Sequence, residues 1–145
     1  MWSGSCFADL VGARLVPGLK IRIRQVLPRF GLRTAFEAVG LVAARLVPLP
    51  DEEIRRVGAS VLAEAAAAAL CVVHPLRGKT ARTTLARAAC CQLARDAGIA
   101  STEVAHGLDI TRQGVSQLAG RTIDRRILRA VRMRLARRQT TRSGR

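Results

Sequence analysis

A chain of 145 residues has room for one domain, or two small ones, and for a buried core. Apolar residues make up 49% of it and aromatics only 3%, which excludes global disorder and leaves a thin, alanine-rich core that suits helices better than sheets. The formal charge of +15, with a pI near 11.7, implies a polyanionic partner, most simply nucleic acid.

A bias towards arginine accounts for 23 of the 25 basic residues being Arg, but not for where they lie. Residues 1–78 hold 10 basic and 6 acidic residues, whereas residues 121–145 hold 10 and 1. The excess is therefore gathered at the C-terminal end. Cysteines 6, 71, 90 and 91 form no CxxC pair, and two are adjacent in a helical pattern; a reducing cytosol is the expected setting. No basic-then-apolar leader opens the chain, and the most apolar run, Val61–Val73, is 13 residues long and contains Glu64. It is too short to span a bilayer. The expectation is a cytoplasmic protein with no membrane partner.

In chain order, Met1–Cys6 is a polar start, and Asp9–Val16 and Leu19–Phe30 are divided by Pro17-Gly18. The second of these runs alternates like a strand and also recurs with helical period; Pro17 before it favours a helix. Gly31–Val39 reads as a short helix, and Leu41–Pro50 as a connector. Asp51 is expected to cap a helix with Glu52 and Glu53 in its first turn, where the dipole favours carboxylates. Gly58 interrupts, and Ser60 is placed to cap a second helix running through Val73. His74–Gly78 is the expected boundary between an N-terminal helical region, residues 1–74, and a second unit, residues 75–138.

From Lys79 the residues Ala81, Leu85, Ala89, Leu93 and Ala97 recur every fourth position, giving a long helix that Gly98 ends as a left-handed cap. Residues 101–119, STEVAHGLDITRQGVSQLA, then read as a helix-turn-helix. Ser101 is the expected N-cap of its first helix, with Glu103 in the first turn. Ala105 is small where two helices cross, Asp109-Ile110 is the turn with Ile110 plugging the core, and Thr111 caps the second helix. Val115 and Leu118 point inward. Arg112, Gln113, Ser116 and Gln117 remain on the outer face. Asp109 stands where most such motifs have glycine, and Asp tolerates the positive φ that this turn demands.

That outer face carries the functional expectation. Arg bonds bidentately to guanine and Gln to adenine, and the N-terminal end of a recognition helix is where bases are read. Asp124 then caps a last helix with Ile127, Val131 and Leu135 on one face and arginines over most of the rest. The expected DNA-binding residues are Thr111, Arg112, Gln113, Ser116 and Gln117, with Arg121, Arg125, Arg126 and Arg129 on phosphates. Residues 139–145 are expected to be a disordered basic tail. The fold class is all-α: a helical bundle with a trihelical helix-turn-helix core and a basic C-terminal helix.

Catalytic and metal constellations fail on spacing. Gly78-Lys79-Thr80 copies the end of a P-loop, but the glycine required five residues earlier is Val73. Cys71 and His74 have ligand spacing, yet Cys90 and Cys91 are adjacent on a helix and chelate poorly; buried thiols explain them better. His106 reads as a surface or phosphate-facing residue. The chain contains no tyrosine, no Ser/His/Asp set is evident, and no metal or cofactor is expected.

The stretches HPLRGKTARTTLARAACCQLARDAGI and STEVAHGLDITRQGVSQLAGR resemble the C-terminal DNA-binding extension of REP-associated tyrosine transposases, the HUH-type single-strand transposases of bacteria. The likeness covers Pro75–Arg138 and rests on LRGKT opening a long helix, a short linker and ITRQGVSQL. It implies DNA as partner, and in that family an N-terminal catalytic domain with a His-hydrophobic-His metal motif and a nucleophilic tyrosine, neither of which is found in this sequence. The chain would then be a detached C-terminal portion that binds DNA without cutting it, working beside a separate catalytic domain. Three other readings remain at this point: a small transcriptional regulator, an enzyme fragment that works only with a partner supplying the catalytic half, or an RNA-binding protein using its Arg-rich end.

Overall fold

The computed structural model describes residues 47–143, and the expectations for Asp9–Val16, Leu19–Phe30 and Gly31–Val39 lie outside them. The described residues form an all-α bundle of five helices with no strand: α1 Asp51–Ala69, α2 Ala81–Asp96, α3 Ser101–Leu108, α4 Arg112–Ala119 and α5 Arg125–Ser143.

Helix α1 starts after Pro50, which occupies the cap position and offers no side-chain bond. Asp51, expected as the cap, is instead the first helical residue, with Glu52 and Glu53 beside it in the first turn. Gly58 breaks the helix as expected, at φ +79° and ψ 172°. The break takes the N–H of buried Ala59 out of the helical ladder, and Glu103 Oε1 of α3 accepts it at 3.0 Å. Ser60, the expected cap, is exposed. The helix ends at Ala69, four residues short of the expected Val73. There Cys71 takes a left-handed turn with φ +54° while Val72 N–H returns to Ala67 O at 2.9 Å.

The same closure ends α2 and α3. Gly98 has φ +71° and Ile99 N–H returns to Ala94 O at 2.8 Å; Asp109 has φ +53° and Ile110 N–H returns to Ala105 O at 3.0 Å. Each is the six-to-one bond that satisfies the last free carbonyls of a helix. Helix α2 is capped by Thr80, whose Oγ1 accepts the N–H of Thr83 at 3.1 Å. Its every-fourth stripe faces the core at all positions but the first, with Leu85 half-buried against it. Ala89, Leu93 and Ala97 are buried, whereas Ala81, the first residue of α2, is exposed; packed against four other helices, α2 also buries Ala86, Ala88, Cys90 and Cys91 off the stripe.

Helices α2, α3 and α4 contact one another pairwise, forming a trihelical unit; α1 packs on α2, α3 and α5. A single buried cluster runs from Leu49 and Ile54 through Leu93 and Val104 to Leu135. In the described residues the core thus crosses positions 74–78, and α1 shares it with the helices beyond that expected boundary. Alanines let these helices approach closely, and Gly107 does the same for α3, where an added Cβ would stand 3.5 Å from Ala59 Cβ. Helix α5 runs on through Ser143, so residues 139–143 are helical where a disordered tail was expected. Gln139 Nε2 even reaches Glu53 Oε2 at 3.4 Å.

Candidate nucleic-acid interface

Helix α3, a left-handed residue, and helix α4 follow one another with the expected register. Val104, Ala105 and Leu108 of α3 are buried, as are Val115 and Ala119 of α4, while Ile110 and Leu118 are half-buried against the same core. Ser101 does not cap α3: Ala100 holds the cap position without a side-chain bond, and Ser101 is already helical. Thr111 does cap α4, accepting the N–H of Gly114 at 3.1 Å. A side chain on Gly114 would meet that Thr111 Oγ1 at 3.3 Å, so the small residue allows the cap to close.

Thr111, Arg112, Gln113, Ser116 and Gln117 are all exposed. At 100° per residue the four helical positions cover an arc of about 140° on one side of α4. The hydroxyl of Ser116 is turned back, donating to the Arg112 carbonyl at 3.3 Å. The side chains of Arg112, Gln113 and Gln117 carry no hydrogen bond or ion pair among the described residues. They form a polar face with unused donors and acceptors.

The arginines sort into two groups. Several are engaged within the fold: Arg55 donates to Gly98 O at 3.1 Å, Arg95 to Ala119 O at 2.9 Å, Arg132 to Leu49 O at 2.8 Å, and Arg138 to Glu64. Arg121, Arg125 and Arg129 are exposed and without such a partner among the described residues. Arg126 is the exception within the expected phosphate set. Asp124 Oδ1 accepts its backbone N–H at 2.8 Å, capping α5 as expected, and its guanidinium closes an ion pair to Oδ2 at 3.0 Å. The backbone hydrogen bond from Arg126, more than its side chain, holds the Asp124 carboxyl below its ordinary value.

Two residues enter the site from positions that sequence reading did not single out. Arg77, exposed in the segment before α2, lines an open cleft with His106, Asp109 and Thr111 at the head of α4. It belongs to the LRGKT stretch, where the glycine and lysine drew attention instead. Arg95 of α2 holds the last carbonyl of α4. No local signal marks it, because the bond joins residues 24 apart.

The cysteines of α2 are packing groups. Cys90 and Cys91 are fully buried, and burial pushes both thiols up, Cys91 to about 11. Among the described residues no three His, Cys, Asp or Glu side chains are placed to hold a metal ion, and no helix is long and apolar enough to cross a membrane. No family model, curated protein or solved structure matches the chain.

Proposed function

We propose that the chain binds duplex DNA in a sequence-dependent way, with α4 in the major groove and exposed arginines on the flanking phosphates. One observation carries the reading: the outer face of α4 presents Arg112, Gln113 and Gln117 with unused hydrogen-bonding groups, on a helix whose opposite face is locked into a three-helix core. These are side chains that read base edges. Arg121, Arg125 and Arg129, immediately following, supply charge that carries no sequence information but holds the register on the duplex.

The proposed role is binding, and the sequence offers no tyrosine nucleophile for cutting. It holds only two histidines, His74 and His106, both exposed. From the resemblance over Pro75–Arg138 we also propose a transposase catalytic domain as partner, with these residues supplying the grip on DNA.

The test is a selection from a random duplex library, followed by titration of wild type and Gln113→Ala against the selected duplex and a scrambled control. Replacing a neutral side chain leaves electrostatic attraction untouched. Loss of one bidentate contact costs about 1–3 kcal/mol on the selected duplex, with no change on the control. If nothing is enriched, or both duplexes are lost equally, α4 does not read bases.

A further inference from the structure

On α5, Arg125, Arg129 and Arg132 lie at i, i+4 and i+7, within about 60° of one another around the helix axis. The first two are exposed and without an ion pair among the described residues. The third is not free. Its Nη2 meets Asp51 Oδ1 at 2.5 Å, its Nη1 donates to Leu49 O at 2.8 Å, and its backbone carbonyl receives Leu49 N–H at 3.4 Å. The start of α1 is thus laid against the stripe at its third arginine.

Resting on the DNA-binding reading above, we propose that Asp51 ends the phosphate-binding stripe of α5, limiting sequence-independent affinity without touching DNA. A carboxylate and a phosphate compete for the same face of a guanidinium, since both accept two parallel N–H bonds. Asp51 is 48% exposed and Arg132 21%, so this pair sits at the edge of the core rather than inside it. There the carboxylate cancels the field of Arg132 as seen from solvent. Two phosphate-facing arginines remain on the stripe instead of three. Affinity from charge alone adds to every site equally, so trimming it weakens the hold on all duplexes alike and leaves the discrimination between sites to the base contacts.

The other acids of α1 supply the controls. Glu52 is exposed and has no ion pair among the described residues, so Glu52→Gln makes the same change in net charge without uncovering an arginine. Glu64 pairs with Arg138, which lies about 140° around α5 from Arg125. Glu64→Gln therefore uncovers a cation on a different side.

The experiment is fluorescence anisotropy of a random-sequence duplex with the full chain over a salt series, with melting curves to confirm folding. Asp51→Asn is expected to bind more tightly than wild type and to steepen the log–log salt slope by about 0.9, the value for one added phosphate contact. Glu52→Gln and Glu64→Gln should leave the slope unchanged, and Asp51→Asn with Arg132→Gln should restore the wild-type slope. An Asp51→Asn slope equal to that of Glu52→Gln overturns the inference, as does equal steepening by Glu64→Gln, which would mean bulk charge. Wild type that binds no duplex at any salt overturns the DNA-binding reading and this inference with it. Wild type that binds while Asp51→Asn behaves as wild type overturns the inference alone.

Discussion

Glu103 Oε1 accepts the backbone N–H of Ala59 at 3.0 Å, so a carboxylate of α3 caps the restarted half of α1 across 44 residues. The N–H needs this partner because Gly58, at φ +79°, has turned the preceding carbonyls away, and Ala59 is only 2% exposed. The bond also fixes α3, and hence the root of the helix-turn-helix, against α1. Glu103→Ala should cost about 1–3 kcal/mol, the penalty for stranding a buried donor. Glu103→Gln, which keeps the acceptor, should recover most of it. Urea unfolding midpoints decide the matter; equal losses for the two variants would assign the effect to charge near the end of α3.

Asp109 sits at φ +53° between α3 and α4, a region that costs an L-residue roughly 1–2 kcal/mol, and less for Asp. Asp109→Gly removes that strain but gives the unfolded chain more freedom, so its net gain should be at most about 1 kcal/mol. Asp109→Val keeps the strain and adds a branched side chain, and should lose about 1–2 kcal/mol. A Val variant as stable as the Gly variant would show that this turn relaxes to negative φ.

The Asp124 cap gives α5 an acid-sensitive start. Its folded-state value lies below the ordinary carboxyl value of 3.8, chiefly through the Arg126 N–H. A depressed carboxyl stabilises the fold fully above the unfolded value, and that contribution fades as pH falls through the folded value. Asp124→Asn carries no titrating group. The melting temperature of wild type should therefore exceed that of Asp124→Asn at pH 6, and the gap should narrow as pH drops below about 3.8. A gap constant with pH would mean that the charge of Asp124 contributes nothing to the cap.

Much of this was legible because it is local. Thr111, Val115 and the exposed face of α4 lie within nine residues, and a 3.6-residue period orders them whatever surrounds the helix. The positive φ of Asp109 follows from turn geometry alone. Other features depended on contacts distant in sequence. Alanines such as Ala63 and Ala66 carry little hydrophobic signal, so nothing in residues 59–69 announced that α1 belongs to the same core as α3. Glu103 was read as serving its own helix dipole, and the cap of a helix 44 residues away lay beyond any local pattern. Residues 139–143 read as a tail because they are polar and follow the arginines, whereas the helix there continues past Gln139, which reaches Glu53.

Arg95 supplies the sharpest distinction between positioning and contact. Its Nη1 donates to the carbonyl of Ala119, the last residue of α4, at 2.9 Å, and its Nη2 lies 3.4 Å from Asp96. A cation at a helix C-terminus satisfies a carbonyl with no helical partner and complements the negative end of the dipole. With Thr111 closing the other end, α4 is held at both termini although it has only eight residues. Short helices owe their order to such tertiary support. Arg95→Ala should therefore weaken binding to a selected duplex, since a loosened α4 aims Gln113 and Gln117 less well. It should leave the salt slope unchanged, because the guanidinium is spent on the protein's own backbone. Arg95→Lys, which keeps a donor on a shorter and differently shaped head group, should recover part of the affinity. If Arg95→Ala flattens the slope by about 0.9 instead, Arg95 is a phosphate contact. Unchanged affinity for both duplexes would show that Arg95 does not steady α4.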